Sequence, residues 1–126
     1  MATAGLLGNG KVLFVRPLDL SSDRRLAELF DPATDTWTPA ARLEVNGLWG
    51  TATALPDGRA LVAGSPNAEV YDPVSDAWTV TSGMATSRGE HTATLLTNGK
   101  VLITGGFVPP DPDMTATAEI YDPSGV

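Results

Sequence analysis

Ala27-Glu28-Leu29-Phe30-Asp31-Pro32 is a phrase that this 126-residue chain contains three times with conservative changes. It returns as Ala68-Glu69-Val70-Tyr71-Asp72-Pro73 and as Ala118-Glu119-Ile120-Tyr121-Asp122-Pro123, at spacings of 41 and 50 residues. A fixed phrase at such a period predicts a repeat architecture, in which one unit cannot bury its own faces and stacks on its neighbours. The alternation of side chains within the phrase predicts a short strand, and its proline ends that strand.

Each phrase follows a predicted β-hairpin. Thr51–Leu55 and Thr92–Leu96 have nearly the same sequence, and each leads through a turn into an apolar second strand. The turn pairs favour two-residue type I′ hairpins, because both central positions need positive φ. They are Asn9-Gly10, Asp57-Gly58 and Asn98-Gly99.

A fourth strand carries Trp37 in the first copy and Trp78 in the second. Four short strands per repeat, with turn residues at fixed offsets, are typical of one blade of a β-propeller. We find no helical period. The sequence therefore predicts an all-β fold, a partial β-propeller of about three four-stranded antiparallel blades.

The repeat resembles the Kelch repeat, particularly its bacterial form. The resemblance covers the whole chain and divides it into blades at 1–40, 41–83 and 84–126, the first truncated at its start and the third without its outer strand. The double glycine of the pattern survives only in the third copy, since the second has Ala63-Gly64 and the first Val15-Arg16. The residues that carry the resemblance are Met84, Arg88, His91–Leu96, Asn98-Gly99-Lys100, Gly105-Gly106, Trp78 and the three phrases quoted above.

Kelch-like propellers close with six or seven blades, so three blades leave strand edges and blade faces exposed. Two arrangements would cover these edges and faces. Either the missing blades belong to a longer chain, or two copies form a homodimer that closes a six-bladed ring by two-fold symmetry. The sequence favours the first, because both ends fall inside a blade and terminal repeats normally carry capping features.

Composition excludes several functions. The net charge of −7 argues against a nucleic acid or an anionic membrane as partner, since both attract Lys and Arg. The chain has no cysteine, so disulfides, thiolate metal sites and cysteine nucleophiles are excluded. We expect no signal peptide, transmembrane segment or cofactor, and the compartment stays open.

Function is expected at the connections between strands two and three and between blades, which share one end of each blade. Their lengths vary while the strands keep register, and variable loops on a rigid scaffold are the usual place for recognition. The candidate binding residues are Asp19, Asp23, Arg24, Arg25, Trp49, Arg88, His91, Asp111 and Asp113.

Each candidate has a structural alternative. His91 is the only histidine, and the Kelch pattern places Arg88 and His91 as repeat residues. Trp49 reads either as a loop contact for sugar or peptide or as packing between blades. Asp111 and Asp113 lack the glycine-bearing loop that calcium sites use, which favours a surface linker over a metal site. The three glutamates of the phrase fall in separate blades, so they form no catalytic pair.

The sequence thus predicts a non-catalytic module that binds a protein or glycan. The alternative is a non-catalytic part of a larger enzyme resembling galactose oxidase, a copper radical oxidase with the same kind of propeller. That resemblance implies a cysteine cross-linked to tyrosine and two histidine ligands for copper. With no cysteine and one histidine, this chain lacks that set.

Overall fold

The protein is an all-β chain in the computed structural model, which describes residues 3–15, 27–43, 48–65, 68–81, 91–106 and 117–122. These residues form eleven strands and hold no helix long and apolar enough to cross a bilayer. The strands are β1 (Thr3–Leu6), β2 (Val12–Val15), β3 (Ala27–Asp31), β4 (Thr36–Pro39), β5 (Leu48–Ala54), β6 (Ala60–Ser65), β7 (Ala68–Asp72), β8 (Ala77–Val80), β9 (Thr92–Leu95), β10 (Val101–Thr104) and β11 (Ala118–Tyr121).

The strands form three antiparallel sheets, each ordered as the chain runs. We call them blade 1 (β1–β4), blade 2 (β5–β8) and blade 3 (β9–β11). Within the described residues, blade 3 has three strands where the others have four. The predicted partial propeller of about three blades is confirmed. The third strand of each blade is the repeated phrase, as the alternation of side chains indicated.

The first strand of each blade lies innermost. β5 contacts both β1 and β9, so the inner strands stand side by side. Small residues permit this approach. A Cβ placed on Gly5 would lie 3.3 Å from the Cβ of Ala52, and one on Gly8 would lie 2.6 Å from the Cα of Gly58. The Gly8 amide also donates a 3.1 Å hydrogen bond to the Gly58 carbonyl. Glycine at position 8 is therefore required by backbone contact between blades.

The hairpin turns were located correctly, but the predicted type I′ geometry is wrong. In blade 2, the Leu55 amide donates to the Arg59 carbonyl at 2.8 Å, and the Gly58 amide donates to the Leu55 carbonyl at 3.1 Å. Only the glycine has positive φ, while Asp57 keeps negative φ. This is a three-residue loop in which a type I turn ends in a left-handed glycine. Pro56 favours it, because proline suits the second position of a type I turn.

In blades 1 and 2 the turn before the fourth strand also ends in a residue with positive φ. Asp31 and Asp72 each accept a 2.9 Å hydrogen bond from the backbone amide two residues later. Asp35 and Asp76 close these turns with φ of 56° and 50°. Aspartate tolerates this left-handed conformation better than most residues. The side chains of Asp31 and Asp72 thus stabilise these turns.

Two clusters of buried apolar side chains lie between the blades. One joins blade 1 to blade 2 and the other joins blade 2 to blade 3. Blade 2 contributes one face to each cluster, so it is the only blade covered on both sides within the described residues. The first cluster contains Leu7, Leu13, Val15, Ala27, Leu43, Ala60, Val62, Tyr71 and Trp78, and the second contains Leu55, Leu61, Ala63, Ala68, Val70, Val101, Ile103 and Tyr121.

Candidate functional site

The two ends of each blade differ. One end carries the tight turns between strands one and two of all three blades and between strands three and four of blades 1 and 2. At the other end, β2, β6 and β10 lead into connections of very different length, which are 16–26, 66–67 and 105–117. Most predicted binding residues belong to these connections or to the one before β9, outside the described residues. They are Asp19, Asp23, Arg24, Arg25, Arg88, Asp111 and Asp113.

Trp49 was expected in the connection between blades, and its backbone instead belongs to the inner strand β5. The pairing of β5 with β6 shifts register between Leu48 and Thr51, which places Trp49 and Gly50 in a β-bulge. A bulge lets a strand continue beyond its regular pairing and changes its local direction. The strand therefore begins three residues earlier than the Thr51 start that the repeat pattern gave.

His91 joins two blades near the variable end. It directly precedes β9, and only 4% of its surface is exposed. Its Nε2 lies 2.9 Å from the hydroxyl oxygen of Thr51 on β5, the inner strand of the preceding blade. A buried histidine paired across neighbouring inner strands favours the structural interpretation of this residue over ligand contact.

A second polar contact between blades, which we call the latch, was missed by the sequence analysis. The carboxylate Oδ1 of Asp76 accepts hydrogen bonds from the Tyr71 hydroxyl at 2.7 Å and from the Ala41 amide at 3.0 Å. The indole Nε1 of Trp78 donates to the Ala41 carbonyl at 2.8 Å. Blade 2 thus holds both backbone groups of one residue that follows the fourth strand of blade 1. The sequence signal for the hydrogen bond between Tyr71 and Asp76 was the five-residue spacing between them.

Burial raises the pKa of Tyr71 well above its usual range, and the hydrogen bond to Asp76 and the charge of that carboxylate act in the same direction. The phenol therefore stays protonated and keeps donating to Asp76 over the ordinary pH range. Burial also raises the pKa of Tyr121, the corresponding residue of blade 3. Its hydroxyl is hydrogen-bonded to Thr81, which follows the fourth strand of blade 2. Tyr121 thus contacts the preceding blade directly, whereas Tyr71 is linked to it through Asp76.

Two shallow grooves lie at the end with the tight turns. A groove of about 410 Å³ lies between blades 1 and 2, beside Gly8, Gly58 and Pro73. A second groove, of about 210 Å³, lies between blades 2 and 3, beside Pro56 and Gly99. The same groove thus recurs at both junctions, formed by the turns of neighbouring blades. Its recurrence favours blade packing as its origin over a specific binding pocket.

The turn of blade 2 places charged groups between the grooves. Arg59 Nε donates to the Asp57 carboxylate at 2.7 Å, and the Arg59 amide donates to the same side chain at 3.1 Å. Slight burial would raise the pKa of Asp57, but these hydrogen bonds and the Arg59 charge together lower it. The ion pair is local to one turn and stabilises the turn conformation.

No three His, Cys, Asp or Glu side chains of the described residues lie close enough together to hold a metal ion. The glutamates of the repeated phrase lie on β3, β7 and β11, one in each blade. Glu69 is buried at the junction of blades 1 and 2, while Glu28 and Glu119 are half-buried.

Comparison with known proteins identifies the fold. No family model matches this chain, and neither does any curated protein. Among solved structures, the chain is similar to a novel fungal alcohol oxidase with catalytic diversity among the AA5 family, determined in complex with copper. The TM-score is 0.73 at 22% sequence identity, over 98% of this chain and 28% of that one. The likeness shows a related propeller-like fold, and this chain spans about a quarter of that structure's length.

Proposed function

We propose that this chain is a non-catalytic binding segment of a Kelch-like β-propeller, which recognises a protein or glycan through the connections at one end of its blades. The observation that carries this proposal is the contrast between the two blade ends. Three hairpin turns share one geometry, while the connections 16–26, 66–67 and 105–117 differ in length and composition on the same scaffold. Variation confined to one end of a rigid scaffold is typical of a recognition surface.

The variable end offers both charges and hydrogen-bonding groups. Arg24 and Arg25 lie in the first connection, and Asp111 and Asp113 lie in the third. Such groups suit a polar partner, either the polar rim of a protein interface or sugar hydroxyls. With a net charge of −7, the whole chain repels phosphate backbones and anionic lipid headgroups. The proposed partner is therefore neither a nucleic acid nor a membrane.

A second candidate is favoured by the likeness to the AA5 alcohol oxidase. In that case the chain would be a non-catalytic part of a larger propeller enzyme resembling galactose oxidase. Its own residues do not fit a copper centre, because the chain has no cysteine and a single histidine. That histidine, His91, is buried with Nε2 against Thr51. The role left to the chain in such an enzyme is structural.

Binding of the fluorescently labelled chain to a glycan array and to an immobilised peptide library tests the proposal. The test variant replaces Arg24, Arg25, Asp111 and Asp113 together by alanine, which leaves the net charge unchanged. The control variant is Val74→Ala, which alters an almost fully exposed side chain at the opposite end. We expect the test variant to lose at least ten-fold in affinity for any ligand found, with an unchanged melting temperature, and the control to bind normally.

Equal binding by the test and control variants would contradict a recognition surface at the variable end. The absence of any ligand from both libraries would favour the structural role in a larger enzyme. Alcohol-dependent oxygen consumption by copper-loaded chain, above that of a His91→Ala variant, would contradict both candidates.

A further inference from the structure

Blade 1 and blade 3 each have one face that no other blade covers within the described residues. Residues paired directly across antiparallel strands share one face of a sheet. In blade 1 this rule groups the side chains that point away from blade 2, and we call them the blade 1 outer face. They are Ala4, Leu6, Val12, Phe14, Glu28, Phe30, Trp37 and Pro39. In blade 3 the same rule groups the side chains that point away from blade 2, and we call them the blade 3 outer face. They are Thr92, Thr94, Leu102, Thr104, Ala118 and Ile120.

These outer faces match the faces that meet inside the molecule. At the junction of blades 2 and 3, Leu61 and Val70 of blade 2 face Val101 and Tyr121 of blade 3. In the repeat, Leu102 and Ile120 correspond to Leu61 and Val70. In the same way, Val12 and Phe30 correspond to Val101 and Tyr121. The chain therefore carries, at its two ends, the two halves of a junction that it already makes twice.

Both outer faces expose large apolar side chains. Trp37 is 55% exposed, whereas its counterpart Trp78 is 7% exposed. Ile120 is 61% exposed, whereas its counterpart Val70 is buried. Exposed apolar surface of this kind, built on regular strands, marks an interaction site. The buried counterparts show what covers such a surface, namely the next blade.

The blade 1 outer face is also more aromatic and less hydroxylated than the corresponding face of blade 2. Phe30 replaces Tyr71 and so lacks the hydroxyl that anchors Asp76 in the latch. Phe14 replaces Val62, and its ring packs edge-on against Trp37 at a centroid distance of 5.9 Å. The blade 1 outer face is thus more aromatic than its counterpart, and its Glu28 corresponds to Glu69, which is buried at an internal junction. It suits the blade 3 outer face, whose Leu102, Ile120, Ala118 and threonines all carry methyl groups.

We propose that two copies of this chain associate head to tail, with the blade 1 outer face of each packed on the blade 3 outer face of the other. Two-fold symmetry repeats this contact twice and leaves no outer face exposed. The partner is thus a second copy of this chain. The inference is independent of the proposed binding function, since neither outer face includes residues of the variable connections.

The test is the mass of chain 1–126 by light scattering over a concentration series, with thermal melts as the folding check. We expect a dimer of twice 13.1 kDa. Trp37→Asp and Ile120→Asp should each abolish it, whereas Val74→Asp, on neither outer face, should leave it intact. Leu6→Asp provides a second variant of the blade 1 outer face if Trp37→Asp lowers the melting temperature sharply.

A mixing experiment tests the head-to-tail geometry. Trp37→Asp chain has an intact blade 3 outer face, and Ile120→Asp chain has an intact blade 1 outer face. A mixture of the two keeps one complete junction, so we expect it to form a mixed dimer that neither variant forms alone. A wild-type monomer at every concentration would overturn the proposal. So would a mixture that stays monomeric, or a wild-type mass that grows beyond two chains.

Discussion

Trp37 and Trp78 occupy the same position in blades 1 and 2 and have very different surroundings. Each packs on the aromatic residue of the neighbouring third strand with nearly the same geometry, at ring centroid distances of 5.0 Å and interplanar angles of 51° and 50°. Only Trp78 is covered by another blade, where its indole also donates to Ala41. The geometry of the aromatic pair is therefore determined within one blade, whereas the burial of the tryptophan depends on a neighbouring blade.

The largest expected difference between the two sites comes from removing each indole. Trp78→Ala should lower the free energy of unfolding by about 3–5 kcal/mol, because it opens a cavity between blades and removes a hydrogen bond. Trp37→Ala should cost about 1 kcal/mol or less, because more than half of that residue's surface is already exposed. Urea denaturation at low protein concentration measures both. Equal losses would show that the outer face of blade 1 is as well packed as the junction.

The close approach of the two inner turns provides the next comparison. Gly8→Ala should destabilise by about 1–3 kcal/mol, since its methyl group would lie 2.6 Å from the backbone of Gly58. Thr97 holds the corresponding position in blade 3 and is exposed. Thr97→Ala should therefore change the melting temperature very little. A stable Gly8→Ala variant would contradict the contact between the turns of blades 1 and 2.

A matched pair of variants separates the stability that the latch contributes from the effect of the turn conformation. Asp76→Gly and Asp35→Gly both relieve a positive φ and both remove a carboxylate from the same turn position. Only Asp76 accepts hydrogen bonds from Tyr71 and Ala41, so Asp76→Gly should be less stable than Asp35→Gly by about 1–2 kcal/mol. Thermal melts of the two variants measure the difference. If both lose the same amount, the latch contributes nothing beyond the turn itself.

The smallest expected effect is on the pH dependence of stability. The fold raises the pKa of Tyr71, so it stabilises the protonated phenol, whereas the unfolded chain ionises near pH 10. This stabilisation is complete below about pH 10 and is lost as pH rises further. The melting temperature of the wild type should therefore fall more steeply above pH 10 than that of Tyr71→Phe. Parallel profiles would mean that Tyr71 titrates normally.

The repeated phrase predicted the third strands almost to the residue, because the alternation of side chains and the final proline are local signals. Asn-Gly and Asp-Gly predicted where hairpins turn. They did not predict the turn type. All three turns have the same backbone hydrogen bonds although Gly8, Pro56 and Thr97 differ, so the residue before each pair does not decide the type. The start of β5 was placed at Thr51 and lies at Leu48, because a bulge interrupts the pairing that the pattern assumes.

Contacts between blades were harder to predict, because they join residues far apart in the chain. Asp76 lies in the turn before the fourth strand, and nothing in the sequence around it indicated that it would bind Ala41, 35 residues earlier. His91 had two interpretations until its contact with Thr51 was known. The candidate residues in the variable connections remain predictions from sequence.

The side-by-side arrangement of the inner strands is the central claim, and a disulfide tests it most directly. The chain has no cysteine, so Gly5→Cys with Ala52→Cys introduces a single possible intrachain pair, with Cβ atoms close to bonding distance. We predict that the double variant forms an intrachain disulfide on mild oxidation, whereas Gly5→Cys with Thr94→Cys, on blade 3, does not. Two free thiols in the first pair, or equal cross-linking in both pairs, would contradict the stacking of blade 1 on blade 2.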